Sequence, residues 1–225
     1  MDLDYEAYVI TIMDEEKSVK AAKRCIKSAA MYNMKVEMFA ALTPKDNPEN
    51  QFKLRSIPTH NFEEVYSRRV NCMAAFLSHF SLWERCVLSG KRTVIFEHDA
   101  VVTGDVPVKA NFRHFMTFSK PSYGEFNTPA MLGVNPLTQK RYFGGAHGYI
   151  ISPEGAWILV EAAQRVARPT DIFLNRENLP SIQEYYPWVC EAKDTFSTIQ
   201  NENGIQSKHN YFRDRPEQYE LVNVR

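Results

Sequence analysis

Two carboxylates and an imidazole stand at the end of an apolar run in "TVIFEHDAVV", residues 93–102. The run at 94–96 predicts a buried strand, and ionised groups are costly to bury unless they are paired or bind a metal. Glu97 and Asp99 are two residues apart, so an extended chain projects both to one side and His98 to the other. Such oxygen ligands suit Mg²⁺ or Mn²⁺, which keep coordination positions for substrate phosphates. We therefore predict a cation site at Glu97 and Asp99; the alternative is a carboxylate pair that caps a helix or meets arginines.

A second candidate group lies in "CMAAFLSHFSLWERC", residues 72–86. Ser78 and His79 stand there in an apolar helical context, where a histidine is as often a core residue as a ligand-binding one. The third stretch is "GGAHGYIISPEGA", residues 144–156. Its glycines permit close approach of a ligand, and the following helix, capped by Ser152, offers N–H groups to an anion. The glycine spacing matches neither a P-loop nor a dinucleotide-binding fingerprint.

Alternating strand and helix patterns surround these three stretches. The amino-terminal part predicts a strand at 5–12, a helix at 14–33 capped by Asp14 or Ser18, a strand at 36–42 and a polar loop at 43–51. The remainder predicts a helix at 66–88 ended by Gly90, strands at 91–102, 130–134 and 148–152, a helix from Pro153 and a short helix at 171–175. The pattern is typical of an α/β fold with a parallel sheet, in one domain.

The composition favours no particular kind of partner. The 225 residues carry 27 Lys and Arg against 27 Asp and Glu, so no net charge draws the chain to nucleic acid or to a membrane. Its four cysteines are widely spaced, which argues against disulfides and a zinc site, and the apolar neighbours of Cys72 and Cys86 predict that these two are buried free thiols. The sequence shows no leader pattern and no apolar run near the roughly 20 residues of a membrane span. A cytoplasmic protein, bacterial or from a phage-infected cell, is expected.

Five short motifs occur in an order that resembles glycosyltransferase family 25, which includes lipooligosaccharide galactosyltransferases and collagen β-galactosyltransferases. The motifs are "YVITI" at 8–12, "NCMAAFLSHFSLWERC" at 71–86, "VIFEHDAVV" at 94–102, "GGAHGYIISPEGA" at 144–156 and "RPTDIFL" at 168–174. The sequence departs from the family pattern at three places, one of which is "MDEEKSVK" at 13–20, where the family often has "R-x-x-R" after the first strand. His98 replaces the middle Asp of an acidic triplet, and Asn71 replaces the usual Gly before Cys72.

The resemblance implies a GT-A-like, Rossmann-type sheet flanked by helices, with a nucleotide-sugar half at residues 1–105 and an acceptor half at 106–225. It also implies that a sugar moves from a nucleotide sugar, expected to be a UDP-sugar, to an acceptor hydroxyl, with Mn²⁺ or Mg²⁺ beside the leaving diphosphate. Asp99 and Asp171 are the catalytic candidates. Three roles are open for Asp171: it contacts the acceptor, it is the base that deprotonates the acceptor, or it only caps a helix. The remaining donor-site candidates are Tyr8, Thr11, Ile12, Ser78, His79, Gly145, His147 and Lys208, with Ser207 beside Lys208. His209 is the candidate third metal ligand, and His147 competes with it.

The acceptor and even the reaction class stay open at this stage. Glycans and a hydroxymethylated base in DNA both suit such an enzyme. Basic and aromatic residues interleave at 67–69, 108–115 and 208–215, where they would meet a phosphate backbone or simply form a solvated face. A metal-dependent nuclease or phosphatase would also use Glu97 and Asp99. A catalytically silent nucleotide-sugar-binding protein is the third alternative, because His98 departs from the family pattern.

Overall fold

The structure is a computed structural model that describes residues 4–137, 141–193, 196–206 and 220–225. Its strands are β1 (Tyr5–Thr11), β2 (Glu37–Ala40), β3 (Arg92–Glu97), β4 (Ala100–Val102), β5 (Phe115–Thr117), β6 (Gly133–Pro136), β7 (Gly148–Ile151), β8 (Ile182–Tyr186), β9 (Cys190–Ala192), β10 (Phe196–Ser197) and β11 (Glu220–Leu221). Its α-helices are α1 (Glu16–Ala30), α2 (Pro48–Leu54), α3 (Arg69–Ser89), α4 (Pro153–Arg165), α5 (Thr170–Phe173) and α6 (Glu202–Gln206).

Seven of the strands form one mixed sheet in the order β2-β1-β3-β7-β5-β8-β6. Strands β2, β1 and β3 are parallel, and β7 runs antiparallel to both of its neighbours, β3 and β5. Strands β4 and β9 form a separate two-stranded ribbon, and so do β10 and β11. The predicted α/β class, a sheet flanked by helices, is confirmed, but the prediction of a parallel sheet was wrong, because β7 and β6 pair antiparallel to their neighbours.

Each face of the sheet has its own apolar core, because side chains alternate between the faces of a strand. In β1, Ala7 and Val9 pack against α1, while Tyr8 and Ile10 belong to the opposite core with α3 and α4. This two-sided burial explains why β1 and β3 are continuous apolar runs, as expected for parallel strands covered on both faces.

The ends of the helices follow simple capping rules. Ser152 accepts the N–H of Gly155 at 3.1 Å ahead of Pro153, as predicted for α4. Gly90 ends α3 with φ +67°, a conformation that costs glycine little. The predicted cap of α1 was wrong: Glu15 accepts the N–H of Lys17 and takes that position.

Several predicted elements differ from the structure. The predicted loop at 43–51 holds a 3₁₀ turn at Pro44–Asp46 and the start of α2, which Asn47 caps. The predicted strand at 91–102 is broken into β3 and β4 by a turn at 98–99. Strands β8 and β9 lie where no element was expected.

Two predictions from composition can be compared with the structure. Cys72 and Cys86 are buried free thiols, as predicted, and so are Cys25 and Cys190. In the part of the chain that the structure describes, no helix combines the length and apolarity that a membrane crossing requires.

Candidate active site

A cavity of about 510 Å³ opens at the edge of the sheet where β1, β2 and β3 end. Residues that follow these strands line it, as expected for ligand sites in open α/β sheets. Because β7 runs antiparallel to β3, the segment just before β7 reaches the same edge. The first turns of α3, helix α5 and the segment 196–200 complete the wall.

Acidic residues dominate the charge of this cavity. Four carboxylates line it, from Glu64, Glu97, Asp99 and Asp171, whereas its described lining contains no lysine or arginine. A polar cavity of this size with convergent carboxylates is the default candidate for an active site. Any negatively charged ligand that enters must be neutralised by something other than these side chains.

Glu97, His98 and Asp99 lie together on the cavity wall. The strand ends at Glu97 and the chain turns at 98–99, so the expected alternation of an extended chain does not hold there. On the side of α1, Arg24 donates to the backbone carbonyl oxygen of Asp99 at 3.4 Å, and Asp99 Oδ1 is buried. The ring of His98 stacks on Phe196 with centroids 5.3 Å apart, and its Nδ1 lies 3.0 Å from the Ser18 hydroxyl.

A run of hydrogen bonds leads from the interior to Glu97. The indole N–H of Trp83 donates to the Tyr149 hydroxyl at 2.9 Å, and that hydroxyl lies 2.9 Å from His79 Nδ1. His79 Nε2 lies 3.3 Å from Glu97 Oε1. Burial raises the pKa of Glu97, but the hydrogen bond from His79 and the neighbouring imidazoles of His147 and His98 together outweigh it, so the net pKa is lowered and the carboxylate stays ionised.

Ser78 holds the loop that follows β2. Its hydroxyl accepts the N–H of Leu42 at 2.9 Å and donates to the carbonyl oxygen of Ala74 at 2.9 Å. The chain from Ala41 to Pro44 forms the cavity wall next to the end of β1. Ser78 therefore fixes the distance between α3 and this wall.

The glycine stretch before β7 brings His147 to the cavity. Gly145 has φ +104°, and a Cβ there would lie 2.7 Å from His147 Nδ1, so the site requires glycine. Burial lowers the pKa of His147 to about 4, which keeps the imidazole neutral. Its Nε2 is buried and has no hydrogen-bond partner among the residues that the structure describes. The carbonyl oxygen of His147 accepts the N–H of Glu97 at 3.3 Å and ties the two segments together.

Asp171 faces the cavity from α5. The Tyr123 hydroxyl donates to its Oδ2, and the N–H of Ile172 donates to Oδ1 at 2.9 Å. Burial raises the pKa of Asp171, while the Tyr123 hydrogen bond opposes that shift. The pair supplies a carboxylate that is held in place and binds a proton more tightly than an ordinary aspartate.

The carboxyl-terminal segment is anchored over the cavity by the beginning of α3. Arg68 donates to the carbonyl oxygens of Gln200 at 3.0 Å, Ser197 at 3.3 Å and Val222 at 2.9 Å. Asn71, which replaces the usual family Gly, donates to the carbonyl oxygen of Thr198 at 3.0 Å. The Asn at this position therefore helps to hold the carboxyl-terminal segment against α3.

The structure brings most of the predicted residues together. Those that line the cavity are Ile12, Ser78, His79, Glu97, Asp99, Gly145, His147 and Asp171. Tyr8 and Thr11 do not: Tyr8 donates to Glu6 at 2.9 Å within the core, and Thr11 donates to the Val9 carbonyl oxygen at 3.0 Å. Ser207, Lys208 and His209 lie outside the described residues, so their predicted roles stay predictions.

Sequence reasoning missed several cavity residues, among them Glu64, Ser122, Tyr123 and Tyr142. They lie in loops without periodicity, and their types are common at surfaces. The only available signal was the position of Tyr142 just before the glycine stretch.

An α/β sheet with an acidic cavity at its strand ends is an arrangement in which open α/β proteins place a ligand site. The model of "Glycosyltransferase family 25 (LPS biosynthesis protein)" matches residues 5–120. The chain belongs to glycosyltransferase family 25, so the expected family is confirmed.

The matched part runs from β1 through β5 and includes the whole Glu97–Asp99 turn. Among solved structures, the chain is similar to the apo-form glycosyltransferase GlyE of Streptococcus pneumoniae TIGR4, with 10% identity and a TM-score of 0.42. The match covers 80% of this chain but 44% of that one, so the chain spans less than half of that structure's length. No curated protein matches the chain.

Proposed function

We propose that the protein is a metal-dependent glycosyltransferase of the GT-A type. It moves a sugar from a nucleotide sugar, a UDP-sugar, to an acceptor hydroxyl in the cavity at the strand ends. The observation that carries the metal dependence is the charge of this cavity: four carboxylates and, in its described lining, no lysine or arginine. A nucleoside diphosphate brings further negative charge, which these side chains would repel.

The residues present fit a divalent cation. Glu97 and Asp99 would hold it, because Mg²⁺ and Mn²⁺ commonly bind one or two carboxylates together with substrate phosphates. Within the described part of the chain, no three His, Cys, Asp or Glu side chains converge on a single point, so the remaining positions are left to phosphates and water. When bound, the cation would act as Lewis acid and neutralise the leaving diphosphate. His209 stays a candidate third ligand.

The walls of the cavity give the protein residues distinct roles. The apolar wall from Ile10, Ile12 and the 41–44 loop would receive the nucleobase and ribose. Glu97 and Asp99 lie next to this wall and mark the diphosphate position. The sugar would then extend toward the wall formed by Tyr123 and Asp171.

Asp171 is the proposed base for the acceptor. Its two hydrogen-bond donors orient the carboxylate, and the raised pKa improves it as a proton acceptor. It would take the proton from the attacking hydroxyl as the bond to the anomeric carbon forms. This role requires Asp171 to be ionised, so activity should fall at acid pH.

A neutral glycan hydroxyl suits this cavity better than a hydroxymethylated base in DNA. The described lining offers DNA phosphates no cation, and phosphate contacts supply most of the affinity for DNA. The basic stretch at 208–215 lies outside the described residues. DNA therefore remains the second acceptor to be tested.

To test the proposal, release of UDP from a panel of UDP-sugars is measured in the presence of Mn²⁺, of Mg²⁺ or of a chelator. We expect metal-dependent release by the wild type and its loss in Asp99→Ala, at least about 100-fold, with an unchanged unfolding temperature. Asp105→Ala is the matched control, because Asp105 is exposed and does not line the cavity. Equal release by Asp99→Ala and the wild type would disprove the role of Asp99.

The same preparations separate the rival classes. A nuclease or phosphatase would cut DNA or a phosphate ester in the presence of metal and leave UDP-sugars intact. A silent binding protein would be stabilised by a UDP-sugar without releasing UDP. Addition of a glycan or hydroxymethylated DNA should raise the rate of UDP release only for the true acceptor.

A further inference from the structure

We propose that Trp83, Tyr149 and His79 form a hydrogen-bonded chain whose task is to position Glu97 for the cation. The inference rests on the proposed function and deepens it. It makes His79 a positioning residue, whereas the sequence had suggested a contact with the nucleotide sugar. It also gives one physical reason for three motifs that lie far apart in the sequence.

The donor and acceptor of each hydrogen bond in this run follow from Trp83, which can only donate. An indole nitrogen can only donate, so the Tyr149 oxygen accepts from Trp83. The Tyr149 O–H is then directed to His79 Nδ1 at 2.9 Å, which makes Nδ1 the acceptor. With Nδ1 as the acceptor, the ring N–H lies on Nε2, which donates to Glu97 Oε1 at 3.3 Å. Each N–H and O–H of the chain has an acceptor in this assignment.

The chain is held almost entirely inside the protein. Trp83 and Tyr149 are 0% exposed and His79 is 2% exposed, whereas the Glu97 side chain is 32% exposed at the cavity. Aromatic packing restricts the same rings: His79 stacks on Tyr149 with centroids 5.8 Å apart, and Tyr149 stacks on Phe115 at 4.7 Å. A hydrogen-bonded network in such surroundings fixes the side chain at its end.

The register of the sheet places Tyr149 and Glu97 on the same face. Tyr149 on β7 pairs with Ile95 on β3, two residues before Glu97, so both side chains project toward α3. Trp83 and His79 are four residues apart and lie on one side of that helix. The chain thus links α3, β7 and the end of β3 across the apolar core.

The occupied nitrogens of His79 decide between a positioning role and a substrate contact. Both ring nitrogens already have protein partners, so neither is left to bind a nucleotide or a sugar. A ligand-binding histidine would keep one nitrogen for its ligand. Residues that orient metal ligands in this way typically change metal affinity 10- to 100-fold when removed.

The test measures binding of Mn²⁺ to the purified protein in the presence of UDP, by calorimetry, so it does not depend on turnover. Tyr149→Phe keeps the buried ring and removes the hydroxyl. We expect Mn²⁺ to bind about 10-fold more weakly than to the wild type. Tyr32→Phe is the control, because its hydroxyl donates to the Thr103 carbonyl oxygen at 2.9 Å, remote from the cavity.

Further variants show whether the loss of Mn²⁺ affinity in Tyr149→Phe passes through Glu97. His79→Gln retains an N–H donor for Glu97 and should bind Mn²⁺ more tightly than His79→Ala. In a Glu97→Ala background, Tyr149→Phe should weaken Mn²⁺ binding no further, because coupled residues are not additive. Unchanged binding by Tyr149→Phe, or an equal loss in both backgrounds, would overturn the positioning role. A wild type that binds no Mn²⁺ would overturn the metal site itself, and the chain's role with it.

Discussion

At the scale of single residues, the contact between Tyr123 and Asp171 determines how the ionisation of Asp171 depends on pH. Burial raises the pKa of Asp171, and the Tyr123 hydrogen bond restrains that rise by favouring the carboxylate. Tyr123 thus widens the pH range over which Asp171 is ionised. In the proposed reaction, it does so for the base that accepts the hydroxyl proton.

Tyr123→Phe should move the acid limb of the pH profile of kcat/KM to higher pH, because Asp171 then loses the donor that lowers its pKa. The expected change is a larger loss of activity at pH 5 than at pH 8. Tyr185→Phe is the control, because Tyr185 is half-buried on β8 and does not line the cavity. A uniform loss at every pH would show that Tyr123 does not act on the ionisation of Asp171.

Predictability at this scale depended on local pattern. Glu97 and Asp99 were predicted because two acids at the end of an apolar run violate the usual rules of burial. Tyr123 was missed, because nothing local in its loop shows that it contacts a residue 48 positions away. The hydroxyl of Tyr149 had likewise no visible partner until the register of β7 against β3 was known.

At the scale of secondary-structure elements, Ser78 connects α3 to the loop after β2. Ser78→Ala would leave the N–H of Leu42 without its acceptor and loosen one wall of the cavity. The expected cost is about 1 kcal/mol, seen as a roughly fivefold higher KM for the UDP-sugar with little change in kcat. Steady-state kinetics at saturating acceptor measures it.

Ser28 provides a closely matched control for this prediction. Its hydroxyl accepts the N–H of Val102 at 2.9 Å and donates to the Cys25 carbonyl oxygen at 2.8 Å, the same pattern on α1 and away from the cavity. Ser28→Ala should lower the unfolding temperature similarly and leave KM unchanged. Equal effects of the two variants on KM would contradict a local role for Ser78.

The elements themselves were predictable where the chain is periodic or strongly capped. Strand β1 and helices α1, α3 and α4 follow from apolar spacing, Gly90 and Ser152. Strands β8 and β9 were missed, because short strands of mixed composition have pairing partners that only the fold reveals. The segment at 43–51 was read from its Pro and Asn content, although both residue types also begin helices.

At the scale of the whole molecule, distant segments meet at the cavity. Residues 196–200 form one wall, and the Arg68 side chain at the start of α3 donates to the backbone carbonyl oxygens of Ser197 and Gln200. Asn71 donates to that of Thr198. The position of this wall therefore depends on side chains that are remote from it in sequence.

Arg68→Ala should release that wall while the sheet stays folded. We expect faster amide hydrogen exchange confined to residues 196–200 and 222, together with a higher KM for the UDP-sugar. Arg113→Ala is the control, because Arg113 is exposed and distant from these segments. Unchanged exchange at 196–200 would show that other contacts hold the wall.

The acidic lining also bears on what happens after transfer. Once the sugar has left, the described lining offers the spent nucleotide no lysine or arginine to grasp. In the proposed reaction the diphosphate of the product would then be held through the ion alone, so the nucleotide and the ion should depart as a pair. Product release would in that case require no rearrangement of the described cavity walls.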